Sequence, residues 1–182
     1  MRSADDDVVV RDARDDERAA VEALTWRAYG EYASVMAPAA WAGLEQAVRA
    51  ALASDDAGAQ RIVAARGAAL VGSVFLYPPA ADAYAGAAGR ARWPELRLLA
   101  VPPEERGRGI GRLLVDECVR RARLAGAAEL GLHTSASMRV AMRMYQRMGF
   151  VRAPEHDFQP PGGELVEAYR LPLAPERAEG DD

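Results

Sequence analysis

The stretch Leu98-Leu-Ala-Val-Pro-Pro-Glu-Glu-Arg-Gly-Arg-Gly-Ile-Gly-Arg-Leu-Leu114 constrains the fold more than any other part of this chain. An apolar run stops at Pro102-Pro103, a turn rich in Gly and Arg follows, and an amphipathic segment begins at once. Strand, Gly-rich turn and helix N-terminus in that order build a socket for phosphate groups. Glycine turns backbone N–H groups inward at no steric cost. The helix adds the positive end of its dipole, and Arg106, Arg108 and Arg112 add full charges. The segment points to a polyphosphate ligand before it points to a reaction.

The rest of the pattern fits a mixed α/β sheet with helices on both faces. Strands are expected at 8–11, 61–65, 70–77, 95–101, 129–133, from 151, and at 165–171. Helices are expected at 17–36, with Pro38 closing the first, then at 39–53, 110–125 and 137–148. Residues 61–77 read as an antiparallel hairpin around Gly67, and 95–133 as a parallel strand–helix–strand crossover. Residues 78–89 read as a loop. One domain over residues 1–174 is expected, with a polar tail at 175–182.

Composition narrows the function classes. A net charge of −4 argues against nonspecific nucleic-acid binding, which needs a basic surface. The single cysteine, Cys118, rules out an internal disulfide or a cysteine-rich metal site, and no metal is expected. Its spacing with Leu114 and Ala122 reads as helix core rather than nucleophile. No apolar run approaches the roughly 20 residues that span a bilayer. Residues 1–7 are polar and acidic and show no secretory signal. No membrane partner is expected, and the cytoplasm is the default location.

The spacing of the turn decides among phosphate loops. A P-loop needs Gly-Lys followed by Ser or Thr, and no lysine lies here. The dinucleotide fingerprint needs Gly-x-Gly-x-x-Gly, but Gly107, Gly109 and Gly111 are spaced by two. Arg106, Gly109 and Gly111 match Arg-x-x-Gly-x-Gly. Leu96-Arg-Leu-Leu-Ala-Val-Pro precedes that turn, and Ala141-Met-Arg-Met-Tyr145-Gln-Arg-Met-Gly149-Phe150 follows later. With these motifs the chain resembles the GNAT superfamily of acyl-CoA-dependent N-acetyltransferases, over about residues 8–171.

The resemblance implies a central, largely antiparallel mixed sheet that splays at the CoA-binding strand. It implies acetyl-CoA as cosubstrate, its pyrophosphate cradled by Arg106, Gly107, Arg108, Gly109, Ile110, Gly111 and Arg112. The main chain of Leu99, Ala100 and Val101 would pair with the pantetheine arm, as an added strand would. The reaction implied is direct acetyl transfer to a primary amine, on a small molecule or a peptide. Tyr145 stands at the family's general-acid position; a phenol with a pKa near 10 remains a donor at neutral pH. Met138 stands where many members carry an Asn that contacts CoA, and Thr134, Ser135 or Ser137 are candidate substitutes.

A carboxylate is common at the position of Glu95, as general base directly or through water. The alternative for Glu95 is a solvated strand-start glutamate paired with Arg97. Strict alternation would place Glu95, Arg97, Leu99 and Val101 on one face, and Leu96, Leu98 and Ala100 on the other. His133 is a rival base, and His156 a weaker one. Trp26, Tyr29, Tyr32, Trp41, Tyr84 and Trp93 are candidate walls of an amine site, with core packing as the alternative for each. Glu31, Asp82, Glu155 and Asp157 are candidate partners for a cationic acceptor. A non-catalytic acyl-CoA sensor of the same fold is the second reading, and another kind of nucleotide-binding domain the third. The apolar content permits a homodimer.

Overall fold

The structure, a computed structural model, describes residues 7–54, 58–79 and 92–173. Residues 80–89 of the expected loop and the expected tail at 175–182 lie outside the described residues. The elements in chain order are β1 (Val8–Asp12), α1 (Arg18–Tyr29), α2 (Pro38–Ala53), β2 (Gln60–Arg66), β3 (Ala69–Tyr77) and β4 (Glu95–Ala100). Then come α3 (Ile110–Leu124), β5 (Glu129–Ser135), α4 (Arg139–Arg147), β6 (Val151–Arg152) and β7 (Val166–Pro172). The sheet order is β1-β2-β3-β4-β5-β7-β6. Among the described residues only β4 and β5 pair in parallel, and every other ladder is antiparallel. This is the mixed, largely antiparallel sheet expected from the sequence.

The helices differ from expectation at their ends. The first stops at Tyr29 and tightens into a 3-10 turn at Gly30–Ser34. Pro38 opens the next helix at its first position, where its missing N–H costs no hydrogen bond. The fourth starts at Arg139, after a 3-10 turn at Ala136–Met138.

Each sheet face buries its own core. On one face α3 presents Ile110, Leu114, Val115, Cys118, Val119 and Ala122 to Ile62, Val74, Leu96, Leu130 and Leu132. These helix positions recur at helical spacing, so a single stripe is buried. On the other face α1 and α2 present Val21, Leu24, Ala28, Val48 and Leu52 to Val63, Phe75, Leu98 and Ala100. Burial pushes the Cys118 thiol up to about 12, so it is a core filler. Gly131 is required by close approach, since a Cβ there would meet Trp93 Nε1 at 1.9 Å. Among the described residues no helix is long and apolar enough to cross a membrane.

The junction of β1 and α1 is held by charge. Arg11 bonds both oxygens of Glu17, at 2.8 and 2.7 Å, and the Arg14 backbone N–H adds a third bond at 2.8 Å. The Arg11 bonds, helped by the Arg14 N–H, hold the Glu17 carboxyl down to about 2. A depressed carboxyl pKa stabilises the fold above its unfolded value and loses that contribution as pH falls through its folded value. A Glu17→Gln variant should therefore be less stable at pH 7 by about 1–2 kcal/mol and melt lower. The gap to wild type should close as pH falls from 4.5 towards about 2, as read by thermal melts across that range.

Candidate active site

The two central strands part. Strands β4 and β5 pair only at Glu95↔Gly131 and Leu96↔Leu132. Beyond that point β4 stays with β3 as far as Ala100↔Ser73, and β5 stays with β7 as far as Ser135↔Val166. The main chain of Leu98, Leu99 and Ala100 therefore has no strand on its β5 side among the described residues. Such an unpaired edge can accept an extended ligand.

A bulge accompanies the parting. Leu98 has φ +51°, and the β3–β4 register slips between Ser73 and Phe75. A left-handed leucine costs about 1–2 kcal/mol, which the burial of Leu98 in the α1–α2 core offsets. The bulge corrects the strict alternation expected for this strand. Leu96 faces the α3–α4 core together with Leu99 and Val101. Leu98 and Ala100 face the other core, and Arg97 lies on that side over the Tyr77 ring, at 5.4 Å. One extra residue in the bulge reverses every side chain after it.

The Gly-rich turn follows. A 3-10 turn at Pro103–Glu105 leads into Gly107 at φ +75° and Gly109 at φ +79°. Gly109 is the N-cap of α3 and offers no side-chain cap. The first-turn N–H groups of Ile110, Gly111 and Arg112 are thus the donors that a helix leaves without internal partners. Ile110 anchors them, with its side chain buried. Gly111 has helical geometry, and a Cβ there would make ordinary contact with Met144 Sδ at 3.4 Å and Val101 Cγ2 at 3.8 Å.

The three arginines have different roles. Arg106 Nε donates to the Val101 carbonyl at 3.0 Å, while Nη2 donates to the Ala28 carbonyl at 3.3 Å. Its guanidinium also pairs with Glu31 at 2.7 Å. Arg106 thus ties the turn to the end of α1, and the Arg27–Glu104 pair ties it again. Arg108 and Arg112 are exposed and loosely paired, each at 3.5 Å, with Glu105 and Asp116. Exposed pairs of this kind contribute little, so both side chains can turn to an anion.

Tyr145 projects from α4 among the buried residues of the α3–α4 face, with its ring 5.6 Å from Phe150. The helix ends in a set of tight bonds. The Phe150 N–H donates to the Tyr145 carbonyl at 3.0 Å, and Gly149 takes φ +94°. Burial pushes the Tyr145 hydroxyl well above its ordinary value near 10, and the fields of Tyr29 and Tyr32 add to that. Tyr29 belongs to the opposite core. Burial likewise raises Tyr29 and Tyr32.

Glu95 and His133, rival bases in the sequence, are hydrogen-bonded to each other. His133 Nδ1 stands 2.7 Å from Glu95 Oε1. Glu95 is 4% exposed, so the solvated alternative paired with Arg97 does not hold. The parallel register is the signal that finds this contact. It sets Glu95 opposite Gly131, and His133 lies two residues further on the same face. The backbone carbonyl of His156 receives the other ring nitrogen of His133 at 3.0 Å. The His156 ring packs on Trp93 with centroids 4.5 Å apart.

Of the other acceptor-side candidates, Tyr29 and Trp93 are buried, and Trp26 lies under Arg49 at 5.0 Å. Trp41 is half-buried. Glu31 is held by Arg106. Asp157 is held by Arg152 at 2.7 Å and by the Ala168 N–H at 2.8 Å. Asp82 and Tyr84 lie outside the described residues. Met138 packs against the α1–α2 core, and Ser137 Oγ bonds Glu164. Thr134 Oγ1 and Ser135 Oγ are buried without a partner among the described residues, at the end of β5 that borders the opening. No group of His, Cys, Asp and Glu among the described residues could hold a metal ion. A cleft of about 760 Å³ lined by Asp12, Arg14, Arg18, Arg61 and Arg121 contains none of these groups.

The family model described as the acetyltransferase (GNAT) family matches residues 19–150. No curated protein sequence matches the chain. Several solved structures share the fold. The PaiA N-acetyltransferase of Thermoplasma acidophilum, in complex with coenzyme A, aligns at a TM-score of 0.67 with 15% identity, over 91% of this chain and 99% of that one. The ribosomal-protein-S18-alanine N-acetyltransferase of Escherichia coli aligns at 0.63 with 15% identity, over 97% and 100%. A GNAT family acetyltransferase of Brucella melitensis, in complex with acetyl-CoA, aligns at 0.57 with 21% identity, over 96% and 94%.

Proposed function

Because the chain belongs to the GNAT family of acetyltransferases, we propose that it moves the acetyl group of acetyl-CoA directly to a primary amine, with no covalent enzyme intermediate. The observation that carries this reading is the opening between β4 and β5, bordered by the uncapped N-terminus of α3. The N–H groups of residues 109–112 would hold the pyrophosphate, with Arg108 and Arg112 closing on it. Arg106 holds the turn in place. The main chain of Leu99, Ala100 and Val101 would pair with the pantetheine arm. The complexes of the Brucella and Thermoplasma relatives with acetyl-CoA and CoA support the same ligand here.

The chemistry assigns each proton. The acceptor ammonium gives one proton to Glu95 and becomes a neutral nucleophile. Its nitrogen attacks the thioester carbonyl carbon, forming a C–N bond and a tetrahedral oxyanion. The C–S bond then breaks, and the departing sulfur takes the Tyr145 proton. The amide nitrogen gives its surplus proton back to the Tyr145 phenolate. Glu95 finally loses its proton to solvent, so the products are acetamide, CoA thiol and one proton.

Acetyl-CoA at one hundred times Kd should stabilise the fold by about 2.7 kcal/mol by mass action, read as a higher melting temperature. NAD and ATP should not. Thiol release with a panel of small amines and peptide N-termini then identifies the acceptor. A shift with NAD or ATP but none with acetyl-CoA would overturn the ligand assignment. Binding without turnover on any amine would favour the sensor reading.

A further inference from the structure

His133 Nε2 faces the backbone carbonyl oxygen of His156 at 3.0 Å. A carbonyl oxygen only accepts, so Nε2 carries a hydrogen. Nδ1 faces Glu95 Oε1 at 2.7 Å. Two lone pairs do not face each other at that separation, so a second proton stands between them. The pair is therefore neutral as a whole, and its imidazolium–carboxylate form is the one in which Glu95 can accept a proton. Both side chains are buried, at 3% and 5% exposure, which suits a neutral unit.

The surroundings hold the ring rather than compete for it. Phe158 packs on it, with centroids 5.3 Å apart, and the β5–β7 ladder fixes His133 opposite Ala168. Asp157 lies within electrostatic reach of His133, but both of its oxygens are bonded by Arg152. We infer that His133 is the positioning residue for Glu95. It occupies Oε1, fixes the carboxylate rotamer and leaves Oε2 as the oxygen that meets the amine proton. This inference rests on the reading of Glu95 as the base.

Three variants and one spectrum test it. His133→Leu removes the donor to Oε1. His133→Asn returns an N–H at the place of Nδ1. The Leu variant should lose kcat on the order of 10²-fold, with KM for acetyl-CoA and the acetyl-CoA melting shift unchanged, and the Asn variant should recover most of the loss. The wild-type proton spectrum should show an imidazole N–H far downfield of the amides, absent in both Glu95→Gln and His133→Leu. Wild-type kcat in His133→Leu, equal loss in the Leu and Asn variants, or no downfield signal in wild type would each overturn the inference. Glu95→Gln separates the two readings. Full turnover in that variant removes Glu95 as base, whereas a crippled Glu95→Gln beside a fully active His133→Leu removes only the role of His133. If the Leu variant does not fold, the Asn variant and the wild-type spectrum decide.

Discussion

Replacing Tyr145 by Phe should leave acetyl-CoA binding intact and lower turnover by about 10²- to 10⁴-fold, the usual contribution of a positioned general acid. The substitution removes one oxygen and keeps the ring that packs 5.6 Å from Phe150. Any stability change should therefore be small, and the melting curve serves as the control. The departing thiolate would then draw its proton from water, which is neither held in place nor excluded. Thiol release under saturating acetyl-CoA measures the effect directly. Burial raises the hydroxyl well above its ordinary value, so its loss of a proton should not limit the rate below pH 10. An unchanged rate in the Phe variant would leave Tyr145 as a packing aromatic, and another donor would have to be sought at the opening, with Tyr29 and Tyr32 first.

The second large effect is expected at Gly109. Its φ of +79° is strained for any residue with a Cβ, although a Cβ there would meet nothing within 4 Å. The requirement is thus conformational and not spatial. Valine is branched at Cβ and tolerates this region worst, whereas asparagine tolerates it comparatively well. Relieving a strain of about 1–2 kcal/mol would rotate Gly109 and turn the first N–H groups of α3 out of the socket. Gly109→Val should therefore weaken acetyl-CoA binding tenfold or more and abolish most of the cofactor-induced melting shift. Gly109→Asn should stay within a few-fold of wild type. Calorimetric titration of both variants with acetyl-CoA checks this; equal binding in both would mean that the turn is only a connection.

The Gly-rich turn and its helix were legible in the sequence because their causes are local. Gly107 and Gly109 adopt positive φ and Ile110 opens α3. Each of these depends on a residue and its close neighbours. The end of the first helix was less legible. Pro38 restricts the residue before it and also favours a helix start, and the switch to a 3-10 turn at Gly30 that ends α1 earlier has no such local signal.

The bulge at Leu98 had no local signal. Leucine is an ordinary strand residue, and its φ of +51° is held by the core it enters. Without the bulge, alternation assigned Leu99 and Val101 to the wrong face. The role of Arg106 was hidden for a related reason. Glu31, its ion-pair partner, lies 75 positions away in the chain.

By itself the sequence determined the order of elements, the glycine-rich start of α3 and the place of Tyr145 on α4. These follow from backbone preferences and hydrophobic spacing, which act over a few residues. Only the tertiary structure decided that β4 and β5 part after two pairs, that Leu98 reverses the strand, and that Glu95 and His133 are buried in contact with each other. Those features come from contacts between residues far apart in the chain. Their energies depend on burial and on distances that no single segment contains.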